Sequence, residues 1–190
     1  MLNILNKFFS STKNLNTINH RFIKLRKERN VAKIFDAIES YSNKAEIRYV
    51  GGCVRKIINN EKVDDIDLAT NIDPTKVKEA LKKKNINYFE TGIEHGTITA
   101  LIENDKFEIT SLRSDIKTDG RHAEIEFTTD WIKDAERRDF TINSIYADIN
   151  GNLFDPFDGK KDLENGLIKF VGEPERRIEE DYLRILRYFR

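Results

Sequence analysis

One cysteine, Cys53, is all the chain has, so no internal disulfide can form and a reducing compartment is the natural setting. Its three histidines, His20, His95 and His122, lie far apart and make no zinc-site spacing with that cysteine. No apolar run approaches the eighteen or so residues that a membrane-spanning helix needs. Charge of one sign is missing too. Thirty-three Lys and Arg balance thirty-three Asp and Glu, so the net charge does not advertise nucleic-acid binding and any basic surface must be local. What remains is a chain of 190 residues, 38% hydrophobic and 35% charged. That suffices for one soluble domain with a true core and a short extension.

Met1 to Lys27 contains no acidic residue and carries Lys7, Lys13, Arg21, Lys24, Arg26 and Lys27 among Ser, Thr and Asn. Leu2, Leu5, Phe8 and Phe9 recur at near-helical spacing. Basic, acid-free and amphipathic is the composition of a mitochondrial presequence, with a disordered basic tail as the plainer alternative. The chain therefore divides into a targeting or disordered segment over 1–27, a main domain over 28–165 and a helical region over 166–190.

Within the main domain, Val31, Ala32, Ile34, Phe35, Ile38 and Tyr41 predict a helix over 28–43. A strand over 47–50 runs into Gly51-Gly52, and a helix through Ile57 and Ile58 ends at Asn59-Asn60. Residues 63–69 form the next strand. Asp73-Pro74 opens a helix with Val77, Ala80 and Leu81 on its buried stripe. Strands over 96–102 and 106–112 flank Glu103-Asn104-Asp105. The polar stretch 114–122 reads as a mobile loop. Residues 131–138 are expected helical, and 142–149 pass from helix into strand. Asn150-Gly151 turns into Leu153-Phe154. Pro174 opens the last helical region, where Tyr182, Ile185, Leu186 and Phe189 make an apolar stripe with Arg184, Arg187 and Arg190 away from it. The sequence stops in mid-helix, as a fragment would.

The chemistry concentrates in Val63-Asp64-Asp65-Ile66-Asp67-Leu68 and the Gly51-Gly52-Cys53-Val54-Arg55 before it. Side chains two apart on a strand share a face. If Ile66 and Leu68 are buried, Asp65 and Asp67 stand together on the other side. Paired carboxylates repel unless a cation lies between them, and hard oxygen ligands suit Mg²⁺. A bare Asp-x-Asp is more often an acidic surface turn; its neighbours give it weight. Gly51-Gly52 lets backbone N–H groups approach phosphate oxygens, and Arg55, one turn on, reaches the same anion. Neither the Walker loop nor the dinucleotide fingerprint is present. Glu108 faces away from Phe107 and Ile109, and a strand beside the aspartates would bring it to them. Such a trio suits two Mg²⁺ ions in phosphoryl transfer, and Arg138 in Arg137-Arg138-Asp139 would complement it as a phosphate ligand.

Taken in order, Gly-Gly-Cys-Val-Arg, Asp-Asp-Ile-Asp-Leu, Glu-His-Gly-Thr-Ile-Thr, Phe-Glu-Ile-Thr-Ser-Leu-Arg, Arg-Arg-Asp-Phe-Thr-Ile-Asn and Glu-Asp-Tyr-Leu-Arg-Ile-Leu-Arg resemble the class II tRNA nucleotidyltransferases and their bacterial poly(A) polymerase relatives. The resemblance covers about residues 46–190. It implies an α+β fold: a polymerase-β-type head with a mixed, mainly antiparallel sheet flanked by helices, followed by the start of an all-helical neck. It further implies that Asp65 and Asp67 ligate metal, with Glu108 as the third catalytic carboxylate. Gly52, Arg55, Arg138, Asp181, Arg184, Arg187 and Arg190 would surround the nucleotide. Lys56 departs from the family, which usually has Asp there. The implied activity adds CCA to tRNA 3′ ends from CTP and ATP; the presequence composition of residues 1–27 would place it in mitochondria, with the cytosol or nucleus as further compartments. Poly(A) synthesis and partial CC or A addition are the near alternatives, and a non-catalytic RNA-binding remnant is the distant one.

Asp181 and Arg184 lie three apart, hence neighbours on one helix surface. A carboxylate accepts and a guanidinium donates. Cytosine and adenine each place an amino donor beside a ring-nitrogen acceptor, so this pair would select C and A, unless it is only an intrahelical salt bridge.

Overall fold

The computed structural model describes residues 17–119 and 122–189. Its first element is a helix over residues 17–28, α1. Ile18, Phe22 and Leu25 fall at i, i+4 and i+7, and the first two are fully buried in the main core. Arg21 donates to the carbonyls of Ile57 and Ile58 at 3.0 and 2.8 Å. It thereby satisfies acceptors that a helix end leaves open. The expected leader boundary at Lys27 thus falls inside the fold; residues 1–16 lie outside the described residues.

Helix α2 (Val31–Glu39) leads to strand β1 (Ile47–Val50), helix α3 (Gly52–Ile58) and strand β2 (Ile66–Thr70). Helix α4 (Pro74–Lys83) follows, started by Asp73, whose side chain accepts from the Lys76 N–H at 3.0 Å, with Pro74 in the first turn. Strands β3 (Asn87–Gly92), β4 (Thr97–Ile102) and β5 (Asp105–Ser111) come next. Strand β3 has no counterpart in the sequence reading. Its Asn-Tyr-Phe-Glu-Thr-Gly lacks alternation because it is a sheet edge, with Phe89 half exposed and its register slipping between Phe89 and Gly92.

The described residues of the 114–122 stretch are strand where a loop is expected. With its flanks it forms a hairpin, β6 (Arg113–Asp119) and β7 (His122–Phe127), paired from Arg113↔Phe127 onward. Helix α5 (Trp131–Glu136) follows, capped by Asp130, and then the short strands β8 (Tyr146–Ala147) and β9 (Leu153–Phe154) and helix α6 (Gly159–Glu164). The sheet order is β3-β4-β5-β2-β1-β8-β9, antiparallel throughout except for the parallel pair β2–β5. This is the α+β head with a mixed, mainly antiparallel sheet that the motifs imply.

Alternation divides the sheet into two faces. Ile47, Tyr49, Ile66, Leu68, Phe107 and Ile109 bury one face against α2, α3 and α4. Val50, Ala69 and Tyr146, on the other face, pack with Leu112, Trp131 and Ala135 into a smaller cluster. Strand β2 begins at Ile66, so Asp65 stands one residue ahead of it, in a bend.

The head also runs past residue 165. Thr141 N–H donates to Lys169 and Val171 N–H to Asp139, both at 2.9 Å, around a bridge between Phe140 and Phe170. Helices α7 (Pro174–Glu180) and α8 (Leu183–Tyr188) come after that bridge. They are separated at Asp181, whose backbone is extended (φ −157°, ψ 101°). The helical region expected from Pro174 onward is therefore interrupted at Asp181, and the stripe of Tyr182, Ile185, Leu186 and Phe189 that follows is exposed while Arg184 is buried.

Candidate active site

The parallel register of β2 and β5 sets Asp67 opposite Glu108, between buried pairs Ile66↔Phe107 and Leu68↔Ile109. Both carboxylates consequently project from the face opposite the main core. Burial, then the charges of Glu108 and Asp65, push the Asp67 carboxyl above its ordinary value, while Arg138 and Lys56 pull against them. Glu108 and Asp65 thus both act on the Asp67 charge, and this repulsion is what a divalent cation would relieve. Among the described residues no three His, Cys, Asp or Glu side chains close around a metal position by themselves. Two aspartates fit Mg²⁺ nonetheless, because that ion keeps water and is held by one or two carboxylates together with substrate phosphates.

Gly51 turns β1 into α3 with φ +66°, a conformation that L side chains rarely adopt. A β-carbon there would stand 3.6 Å from Arg138 Nη1, whereas one on Gly52 would meet nothing within 4 Å. The glycine the turn requires is Gly51; Gly52, singled out from sequence, leaves open space in front of the helix. Cys53 is buried behind this turn, with its thiol pushed up to about 12 by burial and then by the charge of Asp67. It is a packing residue. Lys56, the family departure, lies 3.4 Å from Asp64, which also pairs with Lys62 at 3.2 Å. Those two lysines hold the Asp64 carboxyl below its usual range, Lys62 more than Lys56.

Arg138 reaches this face from the end of α5, and its ion-pair partner is Asp134, not the adjacent Asp139. Asp134 is 1% exposed. It accepts from Arg137 Nε and Nη2 at 2.9 and 2.7 Å, from Arg138 Nε and Nη2 at 3.3 and 3.1 Å, and from the Tyr146 hydroxyl at 2.7 Å. Burial alone would raise its pKa, but Arg138 and Arg137 hold it down at about 2. Asp134 and Tyr146 escaped the sequence reading. Their signal was the i,i+3 and i,i+4 spacing of Asp134 to the two arginines.

A second polar chain joins α3 to α8. Arg55 Nη1 donates to Asn143 Oδ1, and Asn143 Nδ2 donates to Asp139 at 2.9 Å. Arg187 bridges Asp139 at 3.5 Å and Asp181 at 2.7 Å. The expected Asp181–Arg184 pairing is absent from this structure. With α7 ended at Asp181, its carboxylate accepts from the Leu183 N–H at 2.9 Å and from Arg187. Arg184 is buried, donating to Glu180 at 3.0 Å and to the Arg177 carbonyl at 2.7 Å. Arg190 lies outside the described residues. A cavity of about 740 Å³ opens where Asp115, Lys133, Arg137, Arg177 and Glu180 meet. None of Asp65, Asp67, Glu108, Gly52 and Arg55 lines it. Its wall holds both acidic and basic side chains.

Residues 47–169 match the Poly A polymerase head domain family. Over 146 residues the chain is 56% identical to CCA tRNA nucleotidyltransferase 1, mitochondrial, of Homo sapiens, covering 76% of this chain and 34% of that protein. Its fold superposes on the Bacillus stearothermophilus CCA-adding enzyme in complex with CTP with a TM-score of 0.72 at 29% identity, covering 81% of this chain and 36% of that one. A tRNA nucleotidyltransferase complexed with a primer tRNA and an incoming ATP analog gives 0.59 at 28% identity, covering 75% and 40%. The chain thus spans about a third of the length of the curated relative it matches. With its Gly-Gly turn, its aspartate strand beside Glu108 and its Arg-Arg-Asp block in this arrangement, the chain belongs to the tRNA nucleotidyltransferase and poly(A) polymerase family, of which it carries the head domain.

Proposed function

We propose that this chain is the nucleotide-handling part of an enzyme that completes tRNA 3′ ends with CCA from CTP and ATP. The observation that carries the reading is the Asp67↔Glu108 register beside Asp65, with Arg138 and Gly51 next to it. Asp65 and Asp67 would hold two Mg²⁺ ions, with Glu108 the third carboxylate of the site. The bound metal would supply charge neutralisation at the triphosphate and activation of the attacking hydroxyl. Arg138 and Arg55 take up phosphate charge, and Gly52 leaves room for the nucleotide to approach. In the reaction the terminal RNA oxygen bonds to the α-phosphorus as the bond to the β-phosphate breaks and pyrophosphate departs.

Base choice falls to Asp181 and Arg184. A carboxylate acceptor beside a guanidinium donor satisfies the pairing edges of C and A and leaves U and G with unpaired polar groups. In this structure Arg187 holds the first and Glu180 the second. Templating therefore requires both to exchange these partners for the base. Arg187 would add to the basic surround of the nucleotide, a role the family resemblance extends to Arg190. Mitochondrial placement is supported by the acid-free composition of residues 1–16, ahead of the folded helix α1, and by the name of the human relative.

The test is to offer tRNA lacking its 3′ CCA to the chain with CTP alone, ATP alone and both, in Mg²⁺. Two additions with CTP and a third only when ATP is also present support CCA synthesis. An A-tract with ATP alone would instead indicate poly(A) synthesis, and RNA binding without any addition would indicate a non-catalytic role.

A further inference from the structure

Two of the three nitrogens of Arg138 are committed inside the protein. Nε donates to the Tyr146 hydroxyl at 3.0 Å and to Asp134 at 3.3 Å, and Nη2 donates to Asp134 at 3.1 Å. The Tyr146 hydroxyl in turn donates to Asp134 at 2.7 Å, closing a triangle of three side chains. Nη1 takes no part in it and lies against Gly51, at the mouth of the turn before α3. The triangle has a rigid base. Asp134 is on α5 and Tyr146 on β8, and Tyr146 stacks edge-on against Trp131 at 5.4 Å.

We propose that Asp134 and Tyr146 are positioning residues: together they clamp Arg138 by its inner edge, so that its Nη1 edge is fixed toward the phosphates of a bound nucleoside triphosphate. A guanidinium on a free four-bond stem loses rotamer freedom each time it binds an anion, and one already held loses little. The clamp also answers a charge problem. Arg137 and Arg138 share one carboxylate, to which the Arg113 backbone N–H also donates at 3.3 Å, and the Arg113 guanidinium is pushed down to about 10 by burial and then by Arg137. Without Asp134 the arginines would repel each other out of register. Burial keeps the Tyr146 phenol protonated, hence able to donate to Asp134 at any physiological pH.

This proposal rests on the assignment of Arg138 to the nucleotide, and the experiment separates the two. Calorimetric titration of CTP with Mg²⁺, and of inorganic triphosphate, is run on the wild-type chain and on Arg138→Ala, Asp134→Asn and Tyr146→Phe, with melting curves alongside. Tyr146→Phe keeps the ring and its packing and removes only the hydroxyl. The clamp predicts that it remains folded yet binds both ligands about three- to tenfold more weakly, the worth of one ordinary net hydrogen bond. Asp134→Asn loses more, and Tyr146→Phe decides the matter if that variant does not fold. Weakened binding in Arg138→Ala with wild-type affinity in Tyr146→Phe overturns the clamp and leaves the Arg138 assignment standing. Wild-type affinity in Arg138→Ala overturns the assignment, and the clamp with it. A purely structural Asp134 and Tyr146 would lower the melting temperature and leave the affinities of the folded protein unchanged.

Discussion

Replacing Asp67 by Asn should make the metal-free protein more stable at neutral pH. Adjacent strands lie about 4.8 Å apart, so two carboxylates in register stand roughly 5 to 6 Å from each other. Their repulsion is then about 0.7 kcal/mol at the dielectric of water and about 3 kcal/mol at an effective value of 20. Glu108 is exposed and Asp67 only partly buried, so solvent screening places the gain toward the lower end, about 1 kcal/mol. The neighbouring cations Arg138 and Lys56 act the other way, but the Asp67 carboxyl is raised on balance. That fixes the sign. A carboxyl raised in the folded state is penalised wherever it is ionised there, so stability falls as pH rises through its titration. The advantage of the variant is full at pH 7, shrinks as pH falls toward 4, and disappears below about pH 3, where the aspartate is protonated in both states. For a chain of this size the gain corresponds to roughly 2 to 4 °C in melting temperature. The assay is thermal unfolding across pH 4 to 8 in low salt with EDTA. Equal or lower stability of the variant at pH 7 would refute the reasoning, as would an advantage that grows toward acid pH.

Two further outcomes follow from packing. A β-carbon on Gly159 would stand 2.1 Å from the Thr141 carbonyl oxygen, so Gly159→Ala must shift backbone and should cost about 3 kcal/mol or more, read as a drop in denaturation midpoint. Cys53 is 2% exposed and its thiol is raised by burial, so it should resist thiol reagents in the native protein and react at once on unfolding.

Much of this site was legible in the sequence, for identifiable reasons. Ile66, Leu68, Phe107 and Ile109 alternate with Asp67 and Glu108, and a period of two assigns faces without reference to neighbours. Asp73-Pro74 carries its capping chemistry in adjacent residues, and the structure has that cap. What stayed hidden depends on partners distant in the chain. Strand β3 shows no alternation because its pairing with β4, not a buried face, defines it. The hairpin of β6 and β7 is polar, and its stem is pinned from outside, by Arg113 donating to the His95 carbonyl and Phe127 closing over Gly96. Asp181 and Arg184 have helical spacing, yet Asp181 bonds to the Leu183 N–H and interrupts the helix, which spacing alone cannot disclose. The start of the domain was misplaced for a related reason. The same basic composition that suggests a leader also contains Ile18 and Phe22, whose burial depends on a core assembled from later residues.

The central claim is that Asp65 and Asp67, with Glu108 beside them, hold a divalent cation together with a nucleoside triphosphate. Mn²⁺ can report on this directly, through its paramagnetic signal in titrations with and without CTP. The account predicts that the wild-type chain binds Mn²⁺ more tightly when CTP is present, and that Asp65→Ala and Asp67→Ala each abolish that enhancement while the protein remains folded. Enhancement of undiminished size in both variants would contradict it.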